Sequence, residues 1–92
     1  MSEYIDIEVE AGDNAYEMCF YTNLTLTPDG VEEYHSPQAM EEGSPLAQML
    51  SAVTGIVALR IDDSDLIVRR RSDVPWHAIV ADISAALKEF FL

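Results

Sequence analysis

The sequence predicts an α+β fold: a two-layer sandwich in which a mainly antiparallel sheet carries both helices on one face. Three observations carry that expectation. Residues 4–26 alternate apolar and polar side chains with the period of a strand, residues 44–53 hold a punctuated apolar helical stripe, and Trp76 opens a second, longer stripe. A sheet with one apolar face and two helices with one apolar face each satisfy one another in two layers.

The first strand is expected over residues 4–10, where Ile5, Ile7 and Val9 alternate with Asp6, Glu8 and Glu10. Ala11, Gly12, Asp13 and Asn14 tolerate tight backbone and read as a turn back. Alternation resumes over residues 16–26, with Tyr16, Met18, Phe20, Thr22, Leu24 and Leu26 on one face of a long second strand. Pro28, Asp29 and Gly30 signal a turn, after which residues 31–35 allow a short third strand. Residues 36–43 are polar, contain Pro37, and read as a loop with room for one helical turn.

The period then changes. A serine oxygen at Ser44 can accept from first-turn N–H groups, and Pro45 at the first helical position loses no hydrogen bond. Leu46, Met49, Leu50 and Val53 follow at helical spacing, and Gly55 suits a left-handed stop. Residues 56–61 and 66–70 are β-branched runs joined through Asp62, Asp63, Ser64 and Asp65, a hairpin pattern. The last helix is expected to begin near the capping residues Ser72 and Asp73. Its inner face holds Trp76, Ile79, Val80, Ile83, Leu87, Phe90 and Phe91. The order is therefore ββ(β)αββα within one domain, residues 1–92. The outer sheet face is left to Asp6, Glu8, Glu10, Glu17, Cys19 and Tyr21.

Composition narrows the function. Hydrophobic residues make up 49% of the chain, too many for a disordered acidic tail despite a net charge of −12. All five basic residues lie at Arg60 or later, so the first half is purely anionic. Nucleic-acid affinity is built by cations that displace counterions, so DNA, RNA and anionic lipid are poor partners; a protein partner is expected. Nothing at the N-terminus resembles a signal peptide, no apolar run approaches the roughly 20 residues of a membrane span, and one cysteine permits no internal disulfide. The cytoplasm is the expected location, and the Asn23-Leu24-Thr25 glycosylation pattern carries no weight there.

No catalytic, cofactor or metal constellation is visible. Cys19 has the parity of the outer sheet face, but its neighbours Glu17 and Tyr21 are the opposite of the cationic setting that activates a thiol. His35 and His77 stand far apart and show no ligand spacing. The aspartates of the 62–65 turn lack the glycine and glutamate of a calcium loop. Arg69, Arg70 and Arg71 form the one basic run, which puts guanidiniums on both faces of a strand end. They serve either to pair with Glu8 or Glu10 across strands or to anchor a partner's carboxylates. Arg69, Arg70, Arg71 and Cys19 are the partner-binding candidates.

Four fragments stand in a telling order: Ser44-Pro45-Leu46-Ala47, Gly55-Ile56-Val57, Asp65-Leu66-Ile67-Val68 and Asp73-Val74-Pro75-Trp76. This second half resembles the N-terminal domain of the Nfu/NifU iron-sulfur scaffold proteins, where a helix start, two strands and a tryptophan-led helix follow at similar spacing. The first half departs from the family, whose "TPNPN"-like stretch is replaced by residues 10–15, with Asn14 as its remnant. The resemblance implies a ββαββα-type sandwich and, in full-length members, a further domain whose Cys-x-x-Cys pair holds a cluster between protomers. This sequence contains one cysteine where a cluster takes about four sulfurs. The resemblance thus implies a stand-alone, non-enzymatic interaction module whose partner is an iron-sulfur assembly factor or client. Two other readings stay open: an acidic structural or inhibitory protein covering a basic surface, and an enzyme whose site the sequence does not display.

Overall fold

The computed structural model describes residues 5–27 and 30–91. Its elements are β1 (Ile7–Ala11), β2 (Glu17–Thr22), β3 (Val31–Tyr34), α1 (Pro37–Glu41), α2 (Pro45–Leu50), β4 (Ile56–Asp62), β5 (Asp65–Arg70) and α3 (Trp76–Phe91). The five strands form one sheet in the order β1-β2-β5-β4-β3, and every neighbouring pair is antiparallel.

Two hairpins set the register. In the first, Gly12 N–H donates to the Glu17 carbonyl at 3.0 Å, so close that a Cβ at Gly12 would lie 2.8 Å from that of Glu17. Asn14 Oδ1 accepts from Tyr16 N–H at 2.8 Å and fixes the loop. In the second, Asp62 faces Asp65 across a tip where Asp63 takes φ +54°, a conformation aspartate tolerates better than most residues. The Asp63 carbonyl accepts from Leu26 N–H at 2.8 Å and Thr27 N–H at 3.3 Å, so the tip carries the chain as it crosses from β2 toward β3 on the far edge. The expected second strand therefore stops at Thr22 instead of Leu26, because the chain leaves the ladder to make this crossing. The third strand forms over residues 31–34. Pro28 and Asp29 of the expected turn lie outside the described residues.

A bulge in β4 reconciles sequence and core. Leu59 and Ile61 share a parity that Ile56 lacks, yet all three are buried. The register shifts between Ile56 and Ala58, so Val57 is the extra residue and Ile56 turns back to the inner face. That face also holds Phe20, Leu66 and Val68, which close one core with Met40 of α1, Leu46, Ala47 and Leu50 of α2, and Ile79, Ile83 and Leu87 of α3.

The helical layer keeps the expected elements and differs from expectation at three helix ends. The helical turn allowed within residues 36–43 forms as a capped helix, α1, in which Ser36 Oγ accepts from Ala39 N–H at 3.1 Å and Pro37 leads. Ser44 caps α2 in the same manner, accepting from Ala47 N–H at 3.3 Å. That helix ends at Leu50, and single turns bring Val53 to the core before Gly55, at φ +102°, reverses the chain. The third helix starts at Trp76, not near Ser72, because Asp73 is taken by Arg71 at 2.7 Å. Its end also departs from the pattern: Phe91 packs against the core while Phe90 is exposed.

Beneath β3, Tyr34 ties the sheet to the start of α2. Its hydroxyl donates to the Glu32 carboxylate and accepts from Ser44 N–H at 3.2 Å. Burial pushes the Glu32 carboxyl up, but hydrogen bonds from Tyr34, Ser44 and Thr27 together hold it below its ordinary value of 4.5. A carboxyl lowered in the folded state adds stability above its unfolded value and loses that contribution as pH falls through the folded value. Urea unfolding midpoints of the wild type should thus drop below pH 4.5 more steeply than those of Glu32→Gln. Equal slopes would show that this cluster is not linked to folding.

Candidate partner-binding face

The helices cover one side of the sheet, and the described residues place no element over the other. Register fixes what that open face displays, because residues directly opposite one another project from the same side. One row runs Glu10, Cys19, Ile67, Arg60 and Glu33 across all five strands. Beside it run Glu8, Tyr21, Asp65, Asp62 and Val31. On its other side, Glu17 faces Arg69 and Arg69 faces Ala58.

These rows enclose a shallow groove of about 160 Å³ with Ala58 and Ile67 in its lining and ion pairs at its sides. Arg60 Nη1 stands 3.4 Å from Glu33 Oε1, and Arg69 Nη1 stands 3.6 Å from Glu17 Oε2. Both arginines are about half exposed, where solvent limits a pair's contribution to roughly 0–1 kcal/mol. Each guanidinium carries five N–H donors, so one such contact leaves donors available to an incoming carboxylate. Apolar floor and charged margins are the composition of a protein-contact surface, with Arg a favoured anchor.

The arginine run divides by parity. Arg69 lies on the open face and meets Glu17, not Glu8 or Glu10, because β2 stands between β5 and β1. Arg70 points to the helix side and is built into the structure. Its Nε donates to the Ala15 carbonyl at 3.0 Å, and its Nη1 reaches the carbonyls of Arg71, Ser72 and Val74 at 3.1–3.2 Å. The guanidinium carbon sits 5.2 Å from the Tyr16 ring centroid and 5.7 Å from that of Trp76, whose Nε1 also donates to Ala15 at 2.8 Å. Arg71 holds the Asp73 carboxyl below its usual range, chiefly through their hydrogen bond. The structure thus leaves Arg69 on the face and brings in Arg60, which no sequence signal had singled out.

Cys19 lies half-buried on the open face between Glu10 and Ile67. Its hydrogen bond and charge, then Glu10, raise the phenol of Tyr21 above 10.0. His35 directly follows β3, which lies three strand spacings from β2, about 14 Å between backbones and well outside hydrogen-bond reach of Cys19. His35 instead lies 3.9 Å from Glu33. The donor set does not fit an iron-sulfur cluster: Cys19 is the one thiol in the sequence, and a carboxylate and an isoleucine flank it. Among the described residues, no three His, Cys, Asp or Glu side chains are grouped to hold a metal ion. The 62–65 turn spends its Asp63 and Ser64 carbonyls on backbone contacts to residues 22–27. No described helix is long and apolar enough to cross a membrane.

Comparison with known proteins places this architecture. A family model described as "Scaffold protein Nfu/NifU N terminal" matches residues 7–92. Among solved structures, a NifU-like protein from Saccharomyces cerevisiae is similar with a TM-score of 0.77 and 21% identity, over 97% of this chain and 82% of that one. Protein SAV1430 from Staphylococcus aureus is similar with a TM-score of 0.70 and 14% identity, over 88% of this chain and 96% of that one. At these identities the two structures speak to fold alone. No curated protein matches the sequence.

Proposed function

The chain belongs to the Nfu/NifU N-terminal scaffold family, and from that membership we propose that it is a non-enzymatic protein-interaction module serving iron-sulfur cluster assembly or delivery. The family match over residues 7–92 carries the proposal. The cluster is cargo held by the partner, since this chain's own side chains do not supply its ligands. What the chain contributes is the open sheet face, where Arg60 and Arg69 flank Ile67 and Cys19 lies in the next position along the row. A cytoplasmic location belongs to the same proposal and accords with a sequence carrying one cysteine.

The test is a titration of the isotope-labelled chain with the purified, cluster-loaded Cys-x-x-Cys domain of a family member. Saturable amide shifts should concentrate on β2, β5 and β4. Arg69→Glu should weaken binding by on the order of ten-fold, because it replaces the anchor with a repelling charge at an exposed position. Shifts confined to the helical layer, or affinity unchanged in the variant, would remove the open face from the proposal.

A further inference from the structure

We propose that the free edge of β1 adds an extended segment of a partner protein as a further antiparallel strand, and that this segment alternates basic and apolar residues. The inference does not depend on the iron-sulfur reading. It rests on the backbone and side chains of Ile7–Ala11.

β1 is an edge strand, and its hydrogen-bonding phase follows from the hairpin. Gly12 N–H bonds to the Glu17 carbonyl, so Gly12 and Glu17 form a hydrogen-bonded pair. Antiparallel pairs alternate, which makes Glu10 with Cys19 and Glu8 with Tyr21 the next bonded pairs along the register. Ile7, Val9 and Ala11 therefore direct their N–H and C=O groups away from β2, toward the open edge. Ile7–Ala11 contains no proline and no lysine, and its register to β2 runs without a bulge, so the edge is guarded only by the like charges of Glu8 and Glu10, which a basic strand would neutralise.

Side chains define the incoming strand. On the open face, Glu8 and Glu10 are exposed. On the helix side, Val9 is 41% exposed although its cross-strand neighbour Phe20 is 0% exposed. The helical layer thus covers β2 and leaves the underside of β1 partly bare. A strand docked there meets two carboxylates on one face and Ile7, Val9 and Ala11 on the other. Complementarity calls for Lys or Arg alternating with apolar residues. Main-chain bonds supply affinity in such strand addition, and alternate side chains supply specificity.

The same charges exclude a second copy. Self-pairing that uses the outward groups sets Val9 against Val9 and Glu8 against Glu10, placing like charges directly opposite, which destabilises a pair. A net charge of −12 adds long-range repulsion between copies.

The probe is a blocked seven-residue peptide alternating lysine and valine, with lysine at both ends, titrated into the isotope-labelled chain. Two further peptides carry the same charge, one N-methylated at its valines and one at its lysines. An antiparallel added strand turns its valine amides toward β1 when valine lies beside Val9. The parent should shift the amides of Ile7–Ala11. Methylation at valine should weaken binding by on the order of ten-fold or more through loss of main-chain bonds, whereas methylation at lysine leaves it nearly unchanged. The double variant Glu8→Lys, Glu10→Lys alters only exposed side chains and should also lose the peptide. Equal binding of the two methylated peptides would reduce the interaction to charge alone and overturn the proposal. So would shifts that avoid β1, or concentration-dependent shifts of Ile7–Ala11 without peptide, which would assign the edge to a second copy.

Discussion

Phe20→Ala should cost about 3–5 kcal/mol, the range for truncating a fully buried aromatic ring. Phe20 is 0% exposed and lies between Val9 and Leu66 in the sheet, on the face that closes over the helices. Removing its ring deletes contacts that neighbouring strands cannot recover without shifting the ladder. Domains of this size hold roughly 0.05–0.15 kcal/mol per residue in total, so one truncation consumes much of the stability. Val9→Ala, one strand outward in the same row, should cost under about 1 kcal/mol because that side chain is already partly in water. Urea titrations of both variants check the pair. Comparable losses at the two positions would show that the helical layer extends under β1.

Arg70→Ala is expected to be the most damaging charge removal, at about 2–3 kcal/mol. Hydrogen bonds from a charged group contribute about 1.5–3 kcal/mol, and a cation over an exposed aromatic ring adds about 0.5–1 kcal/mol. Arg70 makes both kinds, joining the β1–β2 loop at Ala15 to the residues that lead into α3. Arg70→Lys should recover little, because a point charge with one ammonium cannot fork to four carbonyls while lying flat against two rings. Trp76 is the one tryptophan, so its emission reports the site directly. A lysine variant with wild-type stability and emission would reduce this cluster to a surface charge.

Local rules reached the elements whose signals are local. The Ser44-Pro45 cap, the 62–65 hairpin and the inner stripe of α3 all depend on residues a few positions apart, and all three formed, with Phe90 alone of the stripe turned outward. The five-residue helix α1 was legible only as room for one helical turn because it is too short to show a helical period, although Ser36 and Pro37 repeat the cap that Ser44 and Pro45 announce. Ile56 required the bulge at Val57 to join the core, and parity alone assigns it to the opposite face.

The candidate face was legible in half. Parity on β1 and β2 places Glu8, Glu10, Glu17, Cys19 and Tyr21 on the open side, as found. It cannot say which strand lies next to β2. That depends on the crossing from β2 to β3, which carries the chain to the far edge and leaves β5 to fill the place beside β2. Only this order brings Arg69 to Glu17 and Arg60 to Glu33. Likewise, three consecutive arginines look alike in sequence, but alternation sends Arg70 inward, where Tyr16 and Trp76 receive it.

The family's fold carries one thiol here, Cys19, where a cluster takes about four sulfurs, and the role proposed for the chain is therefore binding. The most direct test follows cluster transfer, under anaerobic conditions, from a loaded Cys-x-x-Cys domain to an apo-ferredoxin, with and without this chain at equal concentration. The account predicts a several-fold change in transfer rate, with no cluster absorbance retained by the chain after its separation. An unchanged rate, or a cluster that remains with this chain, would contradict it.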